Sequence, residues 1–142
     1  MSLSTPYFEN NLASISANPA GYAHLTYHAN SCTLNDLQTV LGHTGDLLLH
    51  HRWHMLLEDH RQLLSLTAEQ QGIMVRYWQQ QTRLLGRPLC VATVLARNVF
   101  ARLSVAALRH ELQTTDINYR SFSDPAAASS WILIQIGRSQ LM

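Results

Sequence analysis

The residues most suited to chemistry in this chain are its histidines. The sequence has 142 residues and eight histidines, and four of these fall within eleven positions: His50, His51, His54 and His60. His50 and His54 have the spacing that places two side chains on one helix face. With Asp59 close by in the sequence, this spacing raises the hypothesis of a transition-metal site, in a metal-binding protein or a metal-dependent enzyme.

A simpler interpretation of the histidines is favoured. An apolar strand is predicted to begin near Trp53, and it would break a helical register between His50 and His54. A zinc site normally needs three or four converging ligands, and no third ligand follows at a fixed spacing. We therefore expect solvated loop histidines, and we predict no bound metal and no other cofactor.

Two carboxylates, Glu58 and Asp59, end the predicted strand at 53–59. Ligands of open α/β sheets collect at this carboxyl edge. Asp59 has three candidate roles: it caps the next turn, it pairs with Arg61 or Arg97, or it acts as a general base. A paired structural carboxylate is favoured because no nucleophile is identifiable nearby, so the sequence predicts no catalytic residue.

Short apolar runs alternate with capped helices along the chain. Thr67 and Gln70 form a capping box between the strands predicted at 53–59 and 89–95, which is typical of a parallel βαβ unit. The sequence predicts one α/β domain over residues 1–142, with its core at about 7–136 and a mixed five-stranded sheet. An N-terminal antiparallel hairpin is followed by parallel βα units. The predicted order is strands at 12–16 and 22–28, a helix from Thr33 to about His50, a strand at 53–59, a helix opening at Thr67, a strand at 89–95, a helix capped by Asn98, an edge strand at 117–122 and a helix opening at Pro125.

The central strands are apolar on both sides of the pleat, at 55–57 and at 89–92. Such strands need cover on both faces, whereas right-handed crossovers between sequential strands put the connecting helices on one face. The second face requires a helix wrapped around an edge, the N-terminal segment, a partner subunit or an apolar ligand. Two helical stripes are predicted: Val99, Leu103, Ala106 and His110 in the third helix, and an inward-facing set of Ala127, Ala128, Trp131 and Ile134 in the fourth.

Composition narrows the functional classes. Ten basic residues, all arginine, are scattered against nine acidic ones, for a net charge of +1. No basic run follows a phosphate backbone, so nucleic-acid binding is not expected. The chain has no apolar run of the roughly 20 residues that a membrane span needs, and its N-terminus lacks the features of a signal peptide. We expect a cytoplasmic protein whose two cysteines, Cys32 and Cys90, are free thiols rather than a disulfide.

The order of elements and several local signatures resemble the STAS superfamily, the sulfate-transporter and anti-sigma-factor-antagonist fold, and within it the bacterial SpoIIAA-like branch. The resemblance covers residues 20 to 135. It is carried by four segments: Gly21–Tyr27, Met55–Arg61, Leu66–Gln70 and Phe122–Trp131.

The resemblance implies a non-enzymatic regulatory or ligand-binding domain. We expect this domain to form a homodimer. In the anti-sigma antagonists a Ser in an Asp-Ser-x-Gly turn accepts a phosphate. Here the equivalent stretch Leu64–Thr67 lacks that Asp and Gly, although Ser65 and Thr67 still place hydroxyls at a helix start. Thr67 is expected to serve as the cap of that helix. Similarity in shape to CRAL-TRIO lipid carriers implies an apolar ligand. We expect an apolar small molecule or lipid to lie against the sheet, lined by Met74, Trp78 and Leu95. The alternative is a protein partner on the same surface.

Overall fold

The chain alternates strands and helices as predicted, with one strand more than expected. The computed structural model describes residues 4–31 and 33–140. The elements are β1 (Thr5–Glu9), β2 (Ala13–Asn18), β3 (Tyr22–Tyr27), α1 (Leu34–His51), β4 (Met55–Asp59), α2 (Ala68–Leu85), β5 (Leu89–Val94), α3 (Val99–Glu111), β6 (Ile117–Phe122) and α4 (Pro125–Gln140).

The sheet has six strands in sequential order, β1-β2-β3-β4-β5-β6. The first three strands are antiparallel and β3 to β6 are parallel. The predicted count of five strands is wrong, since it omits β1. This strand contains Pro6, and its pairing with β2 is irregular between Pro6 and Phe8. Proline cannot donate to a ladder and is confined to edges and bulges, so an exposed edge strand of this kind carries little apolar signal.

The predicted helix caps are confirmed. Thr33 Oγ1 accepts a hydrogen bond from the Asp36 backbone N–H at 3.0 Å, and Asp36 accepts one from the Thr33 N–H at 3.2 Å. Thr67 and Gln70 make the same reciprocal pair at 3.1 and 2.8 Å. Such boxes satisfy two helix N–H groups that lack intrahelical partners. Cys32, which precedes the first cap, lies outside the described residues.

Helices cover both faces of the sheet, but unequally. α1, α2 and α3 pack on one face, as right-handed crossovers between sequential parallel strands require. α4 follows the edge strand β6, so no crossover constrains it, and it returns across the opposite face to contact β4, β5 and β6. Of the covers proposed for the second face, the helix wrapped around an edge is the one observed. Its buried side chains Ala128 and Ile132 meet a cluster made of Tyr22, Met55, Leu57, Ala92 and Val94.

The inward stripe predicted for α4 is partly wrong. Ala128 is buried and Trp131 packs against the apolar cluster on this face, as predicted. Ala127 and Ile134 are exposed, whereas Ile132 is buried. The helix carries small or apolar residues on several sides, so its sequence pattern does not select the buried face. None of the helices among residues 4–31 and 33–140 combines the length and apolarity needed to cross a membrane.

Candidate functional site

A buried polar cluster lies at the carboxyl end of the parallel strands, on the face covered by α2 and α3. Alternation along β4 turns Leu56 and Glu58 toward these helices, and His60 continues that alternation just after the strand. Glu58 is 7% exposed and His60 is 4% exposed. Charged groups are rarely buried to this degree without partners, so the neighbours of Glu58 determine what the cluster does.

Arg109 reaches this cluster from the last turns of α3. Its Nη2 lies 3.8 Å from Glu58 Oε1, and its guanidinium carbon lies 4.2 Å from the centre of the Tyr119 ring. Arg109 also donates hydrogen bonds to Ser121 Oγ at 3.2 Å and to Thr93 Oγ1. The arginine is therefore held by β4, β5 and β6 at once.

Electrostatics keep this cluster in an ion-paired state. Burial by itself raises the pKa of Glu58, but the neighbouring His60 and Arg109 more than offset it, so that the pKa of Glu58 lies below its ordinary value. His60 Nε2 is 3.6 Å from Glu58 Oε1. Burial, reinforced by the charge of Glu58, raises the pKa of the Tyr119 hydroxyl, which stays a neutral phenol. At neutral pH Glu58 is a carboxylate beside a fixed guanidinium rather than a poised general base.

A groove of about 210 Å³ opens beside this cluster, between α3 and the ends of β5 and β6. Its walls combine cations and hydroxyls with apolar side chains, and they carry no carboxylate. The lining residues are His60, Thr93, Leu95, Ala96, Arg102, Val105, Ala106, Arg109 and Ser121.

Asp59 faces the opposite side of the sheet and pairs with Arg61, as predicted. Its two oxygens accept hydrogen bonds from the Arg61 guanidinium at 2.7 to 3.2 Å, and Oδ1 accepts one from the Arg61 backbone N–H at 3.1 Å. Asp59 therefore both caps its turn and pairs with Arg61. Burial raises the pKa of Asp59, but Arg61 more than offsets this effect and the pKa lies below its ordinary value.

The structure separates the residues of the hypothetical metal site. His50 is exposed in the last turn of α1, while His54 precedes β4 and lies 3.1 Å from Arg87 Nη2 and 3.2 Å from Ser139 Oγ. Asp59 ends β4, and the strand places it roughly 16 Å from His54. The three residues do not converge, because His54 and Asp59 lie at opposite ends of β4 and not on one helix with His50. Within the two described segments, no group of three His, Cys, Asp or Glu residues could hold a metal ion.

The expectation of solvated loop histidines is wrong for His60. Its ring is buried and packs edge-on against Tyr27, with 5.3 Å between ring centres. His50 and His51 are solvated, but they belong to α1 rather than to a loop. The signal for His60 was present in the sequence, since positions 56, 58 and 60 share one side of the pleat. No comparable sequence signal indicated Arg109, which meets the cluster only through packing of α3 on the sheet.

The six residues predicted to bind a ligand or partner lie at four separate places. Met74 and Trp78 lie on the buried side of α2 and line a cavity of only about 20 Å³. Leu95 lines the groove beside α3, and Asp59 faces the other side of the sheet. Ser65 and Thr67 line a groove of about 260 Å³ at the start of α2, where the Thr67 hydroxyl is used for capping.

The predicted stripe on α3 exists but faces outward. Val99, Phe100 and Leu103 are 56%, 66% and 62% exposed. Ala106 and His110 on the same stripe are exposed too. The helix buries a second stripe against the sheet instead, which consists of Ala101, Ser104, Val105 and Leu108. α3 is therefore apolar on two sides, and only one of them is covered.

Comparisons of the chain with protein-family models, with curated proteins and with solved structures find no match.

Proposed function

We propose that this protein is a non-enzymatic regulatory module of the STAS-like type that binds a partner protein through the exposed face of α3. The single observation that carries the proposal is the exposure of Val99, Phe100 and Leu103 on a helix that already buries another apolar face. Residues 99 and 103 are one turn apart, as are residues 100 and 103, so the three side chains form one continuous surface. We call this surface the α3 face.

The size of the exposed side chains makes the α3 face energetically significant. Fully burying one large apolar side chain contributes about 1.5–3 kcal/mol. The three side chains of the α3 face are each more than half exposed, so covering them would contribute a few kcal/mol. A helix on the surface of a sheet normally turns polar residues to water. The departure from that pattern is what a docking surface requires.

The charges around the α3 face indicate the chemistry of its partner. Arg97 and Arg102 flank the face, and both are exposed. Between Leu95 and His110 the sequence contains no acidic residue. Charge complementarity governs encounter rate and specificity at interfaces. The fitting partner is therefore a protein segment that presents apolar and acidic side chains together.

A lipid held inside the fold has less support than a partner protein. Pockets for lipids and other drug-sized molecules usually have volumes of about 300–1,000 Å³. The cavity that Met74 and Trp78 line is about 20 Å³. Both side chains are almost fully buried and belong to the core between the sheet and the helices α1, α2 and α3.

The test compares two double variants of exposed residues. Phe100→Ser with Leu103→Ser removes the α3 face, and Leu133→Ser with Ile134→Ser on α4 is the matched control, since these two side chains are also about half exposed. Proteins captured by the wild type are identified, purified and titrated calorimetrically against all three forms. We expect the α3 variant to weaken binding of an apolar, acidic partner by more than about tenfold, which corresponds to 1.4 kcal/mol, and the α4 control to bind as the wild type does.

Sedimentation velocity of the same proteins provides the second readout. We expect the oligomeric state to be the same for the wild type and the α3 variant. A dimer that dissociates only in the α3 variant would assign the α3 face to self-association and overturn the proposal. Equal binding of the purified partner by all three forms would overturn it as well.

A further inference from the structure

The groove beside α3 is basic and has a hydroxyl-bearing floor. Arg102 and Arg109 line it together with Thr93 and Ser121, and none of its lining residues is acidic. The other lining residues are His60 and the apolar side chains Leu95, Ala96, Val105 and Ala106. A concave site with a few convergent polar groups and apolar walls is the usual form of a small-molecule pocket.

Arg109 is a preorganised anion-binding group. Its guanidinium is fixed by Thr93, Ser121 and the Tyr119 ring. Its ion-pair contact with Glu58 is long, at 3.8 Å, and Glu58 does not line the groove. A guanidinium held in this way loses little side-chain freedom when it binds an anion.

Arg102 supplies a second cation at the rim. Its Nε–H donates to the carbonyl oxygen of Ala96, which fixes the root of the guanidinium. In the described part of the chain its Nη groups have no hydrogen-bond partner and remain available for a ligand. Two planar guanidinium groups around one groove suit a carboxylate or a phosphate, which both accept paired N–H donors.

His60 adds a buried imidazole to the lining of the groove. Its Nε2 makes no hydrogen bond among residues 4–31 and 33–140, but it lies 3.6 Å from Glu58 Oε1, and Glu58 does not line the groove. The imidazole nitrogen therefore faces the buried carboxylate, and the cations that can meet an anion in the groove are Arg102 and Arg109.

We propose that this groove binds a small organic anion whose headgroup is held by Arg102 and Arg109 and whose short apolar tail lies against Leu95 and Val105. The volume of about 210 Å³ excludes large cofactors. A carboxylate and a phosphate monoester share the required chemistry. Val99, Phe100 and Leu103 of the α3 face do not line the groove, whereas Arg102 borders both.

The test is an NMR titration of the full chain with three probes that share one six-carbon tail: hexanoate, hexyl phosphate and hexanol. We expect at least one of the two anions to cause saturable shifts at the amides of Thr93, Ala96 and Ser121. Hexanol should bind at least about tenfold more weakly, because it lacks the charge-assisted hydrogen bonds. The tighter of the two anions identifies the headgroup as carboxylate or phosphate.

Two variants of exposed arginines localise the binding. Arg102→Gln removes the cation at the rim and should weaken binding of the tighter anion by roughly tenfold. Arg97→Gln changes the net charge equally but does not line the groove, so it should bind as the wild type does. Equal losses in both variants would reduce the effect to general charge attraction and overturn the proposal. Absence of saturable shifts, or hexanol binding as tightly as the anions, would overturn it too.

Discussion

α1 contacts α2 at Gly45, where the missing side chain makes room for Tyr77 and Gln81. A Cβ atom at Gly45 would overlap the Tyr77 hydroxyl oxygen and lie 2.9 Å from Gln81 Cδ. Gln81 Nε2 donates to the Gly45 carbonyl oxygen at 3.2 Å. Burial, with the nearby charge of Asp46, raises the pKa of Tyr77 to about 12, so its hydroxyl stays neutral in this contact. Gly45 lowers the helix propensity of α1, but it permits the packing against α2 that stabilises α1.

Two alanine substitutions in α1 separate these effects. Gly45→Ala should lower the free energy of unfolding by roughly 1–3 kcal/mol through overpacking, despite the better helix propensity of alanine. Gly42→Ala is the matched control, because a Cβ there meets nothing within 4 Å. It should raise the free energy of unfolding by about 0.5–1 kcal/mol. Urea denaturation of both variants measures the difference, and equal stabilisation by the two alanines would refute the packing argument.

At the level of single elements, α4 has the largest consequence for the fold. It covers the apolar part of the second sheet face, over β4, β5 and β6. The parts of β2 and β3 outside this cluster carry polar side chains on that face, such as Ser14, Ser16, His24 and Thr26. The apolar pattern of the central strands and the position of α4 therefore agree.

Two isoleucines of α4 test which of its sides is buried. Ile132→Ala should lower the free energy of unfolding by about 2–5 kcal/mol, since it leaves a cavity at a fully buried position. Ile134→Ala, at a side chain that is 54% exposed, should change it by less than about 0.5 kcal/mol. Thermal or urea unfolding of the two variants gives the comparison. Similar losses would mean that α4 packs through the stripe that contains Ile134.

Across the molecule, the buried and half-buried titrating groups respond to acid in one direction. Burial is the main cause that lowers the pKa of His24 and of His54. The pKa values of Glu58 and Asp59 are lowered by their cationic partners, against the effect of burial. In each case the folded protein binds protons less readily than the unfolded chain. Acid therefore favours the unfolded state through all four groups.

The stability of the protein should consequently be highest at neutral pH and should fall in two stages on acidification. The first stage begins below about pH 6.5, which is the ordinary pKa of a histidine in the unfolded chain. The second stage begins at about pH 4.3, where the carboxylates of the unfolded chain take up protons. Melting temperatures measured from pH 8 to pH 3 should show both stages. The double variant His24→Gln with His54→Gln should lose most of the first stage, whereas the exposed surface control His50→Gln should retain it. A profile that is flat between neutral pH and the carboxylate range would contradict this account.

Features that depend on a few neighbouring residues were predictable from the sequence. The capping boxes at Thr33 and Thr67 need only residues three positions apart, and the central strands β4 and β5 are marked by continuous apolar runs. The pairing of Asp59 with Arg61 also spans two positions. These interactions form within one turn of chain, so their residue types and spacing contain the necessary information.

Features that join distant parts of the chain were decided only by packing. Arg109 meets Glu58 from another layer, and this contact depends on the register of α3 against β4, β5 and β6. The covered side of α4 and the outward stripe of α3 likewise depend on which of two apolar sides fits the sheet. Periodicity identifies apolar sides, but the choice between them is a competition in buried area and close contact that requires the assembled layers.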